Sequence, residues 1–211
     1  KLNRIHIEED AGKSLHDIYT NYTAIDLNRA GTPLLEIVTE PDLHSAEEAY
    51  TFLTELRRLV RWLDVCDGNM EEGSMRCDAN ISVRLKGVTK LGTRVEVKNL
   101  NSIRNVKRAI EIETERLIAV TESGEKIIQE THSFDADANT TFSLRSKEEA
   151  DDYRYFPEPD LPPFRVTSDY INSIKNDIPE LPAALKGKFI STYGLSPSDS
   201  EMICTDKETA A

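Results

Sequence analysis

Asp78-Ala79-Asn80-Ile81-Ser82-Val83-Arg84-Leu85 alternates polar and apolar side chains, and Thr93-Arg94-Val95-Glu96-Val97-Lys98-Asn99 does so again after a loop from Lys86 to Gly92. Alternation with period two is the signature of a strand with one buried face, and two such runs around a glycine-containing loop predict an antiparallel hairpin. With Leu85 opposite Thr93, Ser82 faces Glu96 and Asn80 faces Lys98. Asp78, Asn80, Glu96 and Lys98 then share one face. A slip by an even number of residues keeps that grouping, whereas an odd slip buries one strand's polar set. A polar face is also the ordinary result of packing a sheet on one side only. Here the composition argues for more, because Asp, Asn, Glu and Lys together offer metal ligands, amide donors and a point charge for phosphate.

Helices flank this hairpin. Ser45-Ala46-Glu47-Glu48 forms a capping box, and Ala49, Phe52, Leu53, Leu56, Leu59, Val60 and Leu63 follow at helical spacing until Asp67-Gly68. Glu55, Arg57, Arg58 and Arg61 read as its solvated face. Asn101 or Ser102 caps a second helix, in which Ile103, Val106, Ile110, Leu117 and Val120 keep the period up to Gly124. Its first turns carry Arg104, Lys107 and Arg108, with Glu111, Glu113 and Glu115 after them, against the helix dipole. Either an anion site at the helix start or simple pairing such as Lys107 with Glu111 accounts for this order.

Leu2-Asn3-Arg4-Ile5-His6-Ile7-Glu8 also alternates, with Ile5 and Ile7 on one face and His6 and Glu8 on the other. It reads as a half-buried strand ending in the acids Glu8, Glu9 and Asp10 beside a Gly12-Lys13 turn. Those acids are either ligands for a hard cation such as Mg²⁺, which takes oxygen donors, or a solvated turn. Lys13 to Thr23 reads as a turn. In Asp26 to Asp42 a stiff turn at Gly31-Thr32-Pro33 feeds a buried strand and fixes Arg29 and Glu36 as a structural ion pair.

Lys126 to Phe134 and Thr140 to Arg145 predict a further hairpin about Asp135 to Asn139. Asp151 to Pro163 holds Arg154, Tyr155 and several acids on a proline-rich extended loop, where binding residues accumulate. Short helices follow, at roughly 168–176 and 182–193. The expected organisation is a core over 1–166 and a connector with the start of a helical domain over 167–211.

The net charge of −12 is unsuited to a broad phosphate-binding surface, so nucleic acid would be touched locally. Cys66, Cys77 and Cys204 have neither disulfide nor zinc spacing, which points to a reducing, cytoplasmic setting. No apolar run approaches the roughly 18 residues of a membrane span. The chain starts in a strand without an initiating Met and reads as part of a longer protein.

Ile7-Glu8-Glu9-Asp10-Ala11-Gly12-Lys13, the Asp26 to Asp42 stretch, Met70-Glu71-Glu72-Gly73-Ser74-Met75-Arg76-Cys77-Asp78-Ala79-Asn80, Glu96-Val97-Lys98-Asn99-Leu100-Asn101-Ser102 and Asp152 to Leu161 resemble, in order, the central part of the GatB family. GatB proteins form one of the three components of the glutamyl/aspartyl-tRNA amidotransferases. The resemblance implies an α+β fold, an antiparallel sheet cradle with packed helices like the glutamine synthetase and guanido kinase core. It implies ATP- and Mg²⁺-dependent phosphorylation of the side-chain carboxylate of Glu-tRNA(Gln) or Asp-tRNA(Asn), then amidation with ammonia from a glutaminase component, with GatA and GatC as partners. It places metal ligands at Glu9, Glu8 and Asp78, with Glu96 as a further candidate. Arg76 and Lys98 would hold phosphate oxygens, Asn80 and Asn99 would orient substrate, and Arg154 and Tyr155 would meet the tRNA end. Arg29 and Glu36 are left to structure. The resemblance implies further acid and histidine ligands in an N-terminal stretch and a C-terminal helical region for the tRNA body, so catalysis by this stretch alone is not expected. A free-standing carboxylate ligase and a non-enzymatic, partner-binding piece remain as alternatives.

Overall fold

A computed structural model describes residues 1–146, 162–163 and 165–210. The described chain divides into two compact units, Lys1–His44 and Ser45–Ala211. The expected boundary near Val166 falls within the second.

In the first unit, β1 (Leu2–Glu9) pairs antiparallel with β4 (Pro33–Thr39), and β2 (Lys13–Tyr19) pairs with β3 (Tyr22–Asp26). The expected turn over Lys13 to Thr23 is therefore a hairpin. Leu15, Ile18, Tyr19, Tyr22 and Ile25 are strand formers, and Tyr19 faces Tyr22 across the two-residue loop Thr20-Asn21. The burial phase of β1 also differs from the simple reading. Ile7 is 75% exposed, and Arg4, His6 and Glu8 form the half-buried face. Those polar groups are sheltered because they pair with one another and with Glu36 of β4, which is itself half-buried rather than a core strand.

The second unit holds the hydrophobic core. A four-stranded sheet runs β5 (Ala79–Ile81), β6 (Val95–Lys98), β7 (Glu130–Asp135), β8 (Thr140–Ser146). Against it lie α1 (Ala46–Trp62) and α2 (Ile103–Glu122), with Leu53, Ile81, Val95, Val97, Val106, Ala109, Leu117 and Phe134 buried together. β5–β6 and β7–β8 are antiparallel, as the sequence suggests. β6 and β7 are parallel, which an all-antiparallel sheet does not contain. Parallel neighbours need a long crossover, and the 20-residue α2 supplies it.

β5–β6 pairing places Asn80 opposite Glu96 and Ile81 opposite Val95. This is a shift of two residues from the expected register, and β5 stops at Ile81 rather than Leu85. Gly92 packs against Val83 so tightly that a Cβ would sit 2.0 Å from the Val83 carbonyl oxygen, which excludes any side chain there.

Ser45 caps α1 by accepting from the Glu48 N–H at 3.1 Å, and Ser102 caps α2 by accepting from the Asn105 N–H at 3.1 Å. α1 ends at Trp62, before Asp67-Gly68. Of the cations at the start of α2, Lys107 finds a partner on the neighbouring helix, where it bonds to Glu47 and lies 5.7 Å from the Tyr50 ring centroid. Arg58, expected on a solvated face, binds Glu201 at 2.5 Å, and the Trp62 indole donates to the Glu180 carbonyl at 3.0 Å. These bonds tie α1 to the later part of the chain, which carries the helices α3 (Ser168–Asp177), α4 (Pro182–Tyr193), α5 (Pro197–Ile203) and α6 (Lys207–Ala210).

Candidate functional site

Antiparallel pairing of β1 and β4 sets His6 opposite Glu36, and the strand period puts Glu8 on the same side as His6. His6 Nδ1 is 2.9 Å from Glu8 Oε1 and 3.9 Å from Glu36 Oε2, while Arg4 Nη2 is 3.6 Å from Glu36 Oε2. One ligand atom from each of His6, Glu8 and Glu36 lies within 4.8 Å of the others. Two carboxylates and an imidazole at this separation are a donor set that fits a divalent cation. The oxygens suit Mg²⁺ or Mn²⁺, and the nitrogen suits a somewhat softer ion.

Of the acids singled out in the sequence, Glu8 joins this group. Glu9 sits opposite Pro33 on the exposed face of β1 and does not. Asp10 accepts from Arg29 Nε at 2.6 Å, so the expected Arg29–Glu36 pair is replaced by two separate contacts. The proximity of His6 to Glu36 is created by strand pairing across 30 residues of chain, which no local motif reveals, and the sequence alone does not mark the two as ligands.

In the second unit the polar face of the β5–β6 hairpin forms as expected. Lys98 Nζ is 2.5 Å from Asp78 Oδ2 and 3.4 Å from Glu96 Oε1, and Asn80 pairs directly with Glu96. The Thr131 hydroxyl on β7 donates to Glu96 Oε2 at 3.1 Å and fixes that carboxylate from the other side. Partial burial of Lys98 works against its charge. The Asp78 hydrogen bond and the charges of Asp78 and Glu96 outweigh this, so its pKa stands above the ordinary 10.5 and the ammonium is held charged.

Arg76 and Asn80 are exposed. Asn99 follows β6 with φ of +64°, and its amide donates to the Phe134 carbonyl at 3.2 Å, joining the ends of β6 and β7. Arg154 and Tyr155 lie outside the described residues. Glu8 belongs to the first unit, whereas Arg76, Asp78, Asn80, Glu96, Lys98 and Asn99 belong to the second.

A buried polar network behind this face is not anticipated by the sequence reading. Glu113 on α2 is fully buried. It binds Arg116 at 2.5 Å, accepts from the Thr141 hydroxyl at 2.7 Å and lies 3.4 Å from His132 Nδ1. The opposite ring nitrogen of His132 is 3.0 Å from Glu130 Oε1. The Ser143 hydroxyl, helped by His132 and opposed by burial, lowers the Glu130 pKa below its ordinary value. A signal was available, because Glu113 falls on the Val106–Ala109–Leu117 stripe at helical spacing, where a charge requires partners.

The chain matches the family described as the GatB/GatE catalytic domain over residues 1–172. It is similar to the GatB component of the aspartyl/glutamyl-tRNA(Asn/Gln) amidotransferase of Alkalilimnicola ehrlichii, with 55% identity over 209 residues, 99% of this chain and 44% of the relative. The corresponding protein of Rickettsia bellii is 55% identical over 210 residues, 100% of this chain and 43% of the relative. That of Paraburkholderia xenovorans is 52% identical over 210 residues, with the same coverage. The chain thus spans less than half the length of these curated relatives. No helix among the described residues is long and apolar enough to cross a membrane.

Proposed function

The chain belongs to the GatB/GatE catalytic domain family, and on that premise we propose that it is part of the component that activates a tRNA-linked carboxylate for amidation. The reaction we assign has two steps. The side-chain carboxylate of Glu-tRNA(Gln) or Asp-tRNA(Asn) attacks the γ-phosphorus of ATP, forming an acyl phosphate and releasing ADP. Ammonia then adds to the acyl carbon, phosphate leaves with the C–O bonding pair, and the nitrogen loses a proton to give the amide.

The observation that supports this reading is the charged face in which Lys98 is bracketed by Asp78 and Glu96. Phosphoryl transfer places negative charge on equatorial and leaving oxygens, and fixed cations aimed at that charge lower the barrier. A lysine kept charged by two carboxylates is suited to that task. Arg76 supplies a second cation on the approach to β5. Asn80 and Asn99 orient the substrate by their amides, and the Thr131 bond holds Glu96 in place. Asp78 is proposed to exchange its contact with Lys98 for a metal-bound arrangement when nucleotide enters. Glu8, with His6 and Glu36, would hold a divalent cation, and Glu9 remains a candidate ligand on the exposed side of β1. Mg²⁺, when bound, neutralises charge on the transferring phosphoryl group. Arg154 and Tyr155 are proposed to meet the aminoacyl end of the tRNA.

A sheet cradle resembling glutamine synthetase and guanido kinases, antiparallel but for the β6–β7 pair, a catalytic core over 1–166, a cytoplasmic setting and assembly with GatA and GatC belong to the same proposal. The test is ATP hydrolysis stimulated by glutamyl-tRNA(Gln), using the full-length protein assembled with GatA and GatC. Stimulated hydrolysis that is lost in Lys98→Ala supports the reading. Hydrolysis stimulated equally by free glutamate would replace it with a free-standing carboxylate ligase, and no nucleotide binding would replace it with a partner-binding role.

A further inference from the structure

Strand pairing lays one row of side chains across the charged face of the four-stranded sheet. Asp78 and Lys98 meet at 2.5 Å, Lys98 pairs in parallel register with Ser133, and Ser133 pairs with Phe142. Glu96 lies 3.4 Å from Lys98 on that face, and the Thr131 hydroxyl reaches Glu96 there, so the strand period puts Ser133, two residues after Thr131, on the same side. His132 and Phe134 alternate to the other side, toward Glu113 of α2 and the core. The row therefore runs carboxylate, ammonium, hydroxyl, aromatic ring.

Three other hydroxyls of β7 and β8 are committed to carboxylates. Thr131 donates to Glu96 at 3.1 Å, Thr141 to Glu113 at 2.7 Å and Ser143 to Glu130 at 2.6 Å. Ser133 is only 6% exposed, yet its hydroxyl bonds to no group among the described residues. A hydroxyl sheltered from water without a partner costs stability. Its place beside a fixed cation points to a partner that arrives with a ligand.

We infer that the Ser133 hydroxyl is a second donor, beside the Lys98 ammonium, to the oxyanion that the charged face receives. Asp78 takes one side of the ammonium, which leaves the Ser133 side for an incoming anion. Neighbouring strands lie about 4.8 Å apart, and one oxygen can accept from donors on both through two bonds of about 2.7 Å. The half-exposed ring of Phe142 borders that place without adding charge. The inference rests on the proposed reaction and deepens it by adding a donor aimed at its charge. The oxyanion belongs either to a phosphoryl group or to the carboxylate being activated, and both present the same acceptor.

The experiment is titration calorimetry of the assembled full-length protein and its Ser133→Ala and Ser133→Thr variants in Mg²⁺, with inorganic tripolyphosphate and, separately, with free glutamate. Ser133→Ala is expected to weaken one probe roughly tenfold, and Ser133→Thr, which keeps a hydroxyl, to restore it. Weakened tripolyphosphate supports the donor and assigns it to the phosphoryl group, and weakened glutamate supports it and assigns it to the carboxylate. Thermal unfolding of Ser133→Ala is expected at or above the wild-type temperature, because the substitution removes a sheltered polar group with no partner to lose. Neither probe binding to wild type, unchanged affinity in Ser133→Ala, no restoration by Ser133→Thr, or a lowered unfolding temperature each overturns the inference. Binding needs neither tRNA nor turnover. Weakening by Ser133→Ala without tRNA-stimulated hydrolysis in wild type would therefore remove the proposed reaction and leave the oxyanion site, whereas stimulated hydrolysis with an indifferent Ser133→Ala would remove the role of Ser133 alone.

Discussion

The ammonium of Lys98 and the carboxylate of Asp78 meet at 2.5 Å across the edge where β5 begins and β6 ends, with Glu96 3.4 Å from the same nitrogen. The pair exists because antiparallel strands carry Asp78 and Lys98 to one edge, one step beyond the Ala79–Val97 pair. Removing the cation should therefore affect chemistry more than folding. In the assembled full-length enzyme, Lys98→Ala is expected to lower kcat for tRNA-dependent amidation by roughly 10²–10³-fold, the scale of losing one fixed charge-stabilising donor. Thermal unfolding of the variant should stay near wild type. An unchanged kcat would remove Lys98 from the phosphate-holding role.

The same pair has a pH signature. Lys98 has a folded-state pKa above 10.5, so its stabilising contribution is complete below the unfolded value and is lost as pH rises through the folded value. Asp78→Asn should bring the Lys98 titration down, as read from its side-chain nitrogen shift by NMR. The stability difference between Asp78→Asn and wild type should shrink as pH rises through the folded-state pKa of Lys98. A Lys98 titration that does not move would show that burial and Glu96, not Asp78, govern it.

Glu130 gives the opposite sign. Its pKa lies below 4.5, chiefly through the Ser143 hydroxyl, so its contribution is present above the unfolded value and disappears as pH falls through the folded one. Ser143→Ala should destabilise at neutral pH, with the gap to wild type closing in acid. Urea unfolding at neutral pH and in acid measures both ends, and a gap independent of pH would exclude the carboxylate as its source.

Glu113 sits with no solvent exposure among Arg116, Thr141 and His132. Glu113→Ala leaves the Thr141 hydroxyl without its acceptor and Arg116 without its carboxylate, and should cost about 3 kcal/mol in urea unfolding. Glu113→Gln, which keeps an acceptor and the volume, should cost less. Equal losses would mean that volume, not the polar network, is what the site requires.

For the first unit, Mn²⁺ should broaden the NMR signals of His6 in this chain. Glu8→Gln and Glu36→Gln should each weaken the ion at least about tenfold, as removal of a ligand does. Glu9→Gln should weaken it less than either, because Glu9 lies on the other face of β1 from His6. Equal weakening by Glu9→Gln would relocate the ion to the other face of β1.

Local patterns carried much of this architecture. Ser45 and Ser102 announced α1 and α2, and the alternation at Asn80–Ile81 and Val95–Lys98 announced a hairpin with its polar face. That pattern fixes register only to within two residues, because every even slip preserves the faces, and the structure takes the neighbouring choice with Asn80 opposite Glu96. What could not be read locally was pairing between segments far apart. The parallel β6–β7 contact and the meeting of His6 with Glu36 depend on the path of the chain between them. Ile5 and Ile7 misled for a related reason, since an apolar face is buried only where another layer meets it.

The crossover through α2 also sets an order of assembly. β7 and β8 are joined by a tight turn and can pair on the microsecond scale of hairpins, whereas β6 finds β7 only after the intervening 20-residue helix has brought the strands side by side. Glu96 acquires its Thr131 partner, and Asn99 its Phe134 partner, in that late step. The Thr131 support of the charged face is therefore expected after the β5–β6 hairpin that carries Asp78 and Lys98. Mutations that slow α2 docking would delay the appearance of ligand binding relative to the appearance of secondary structure.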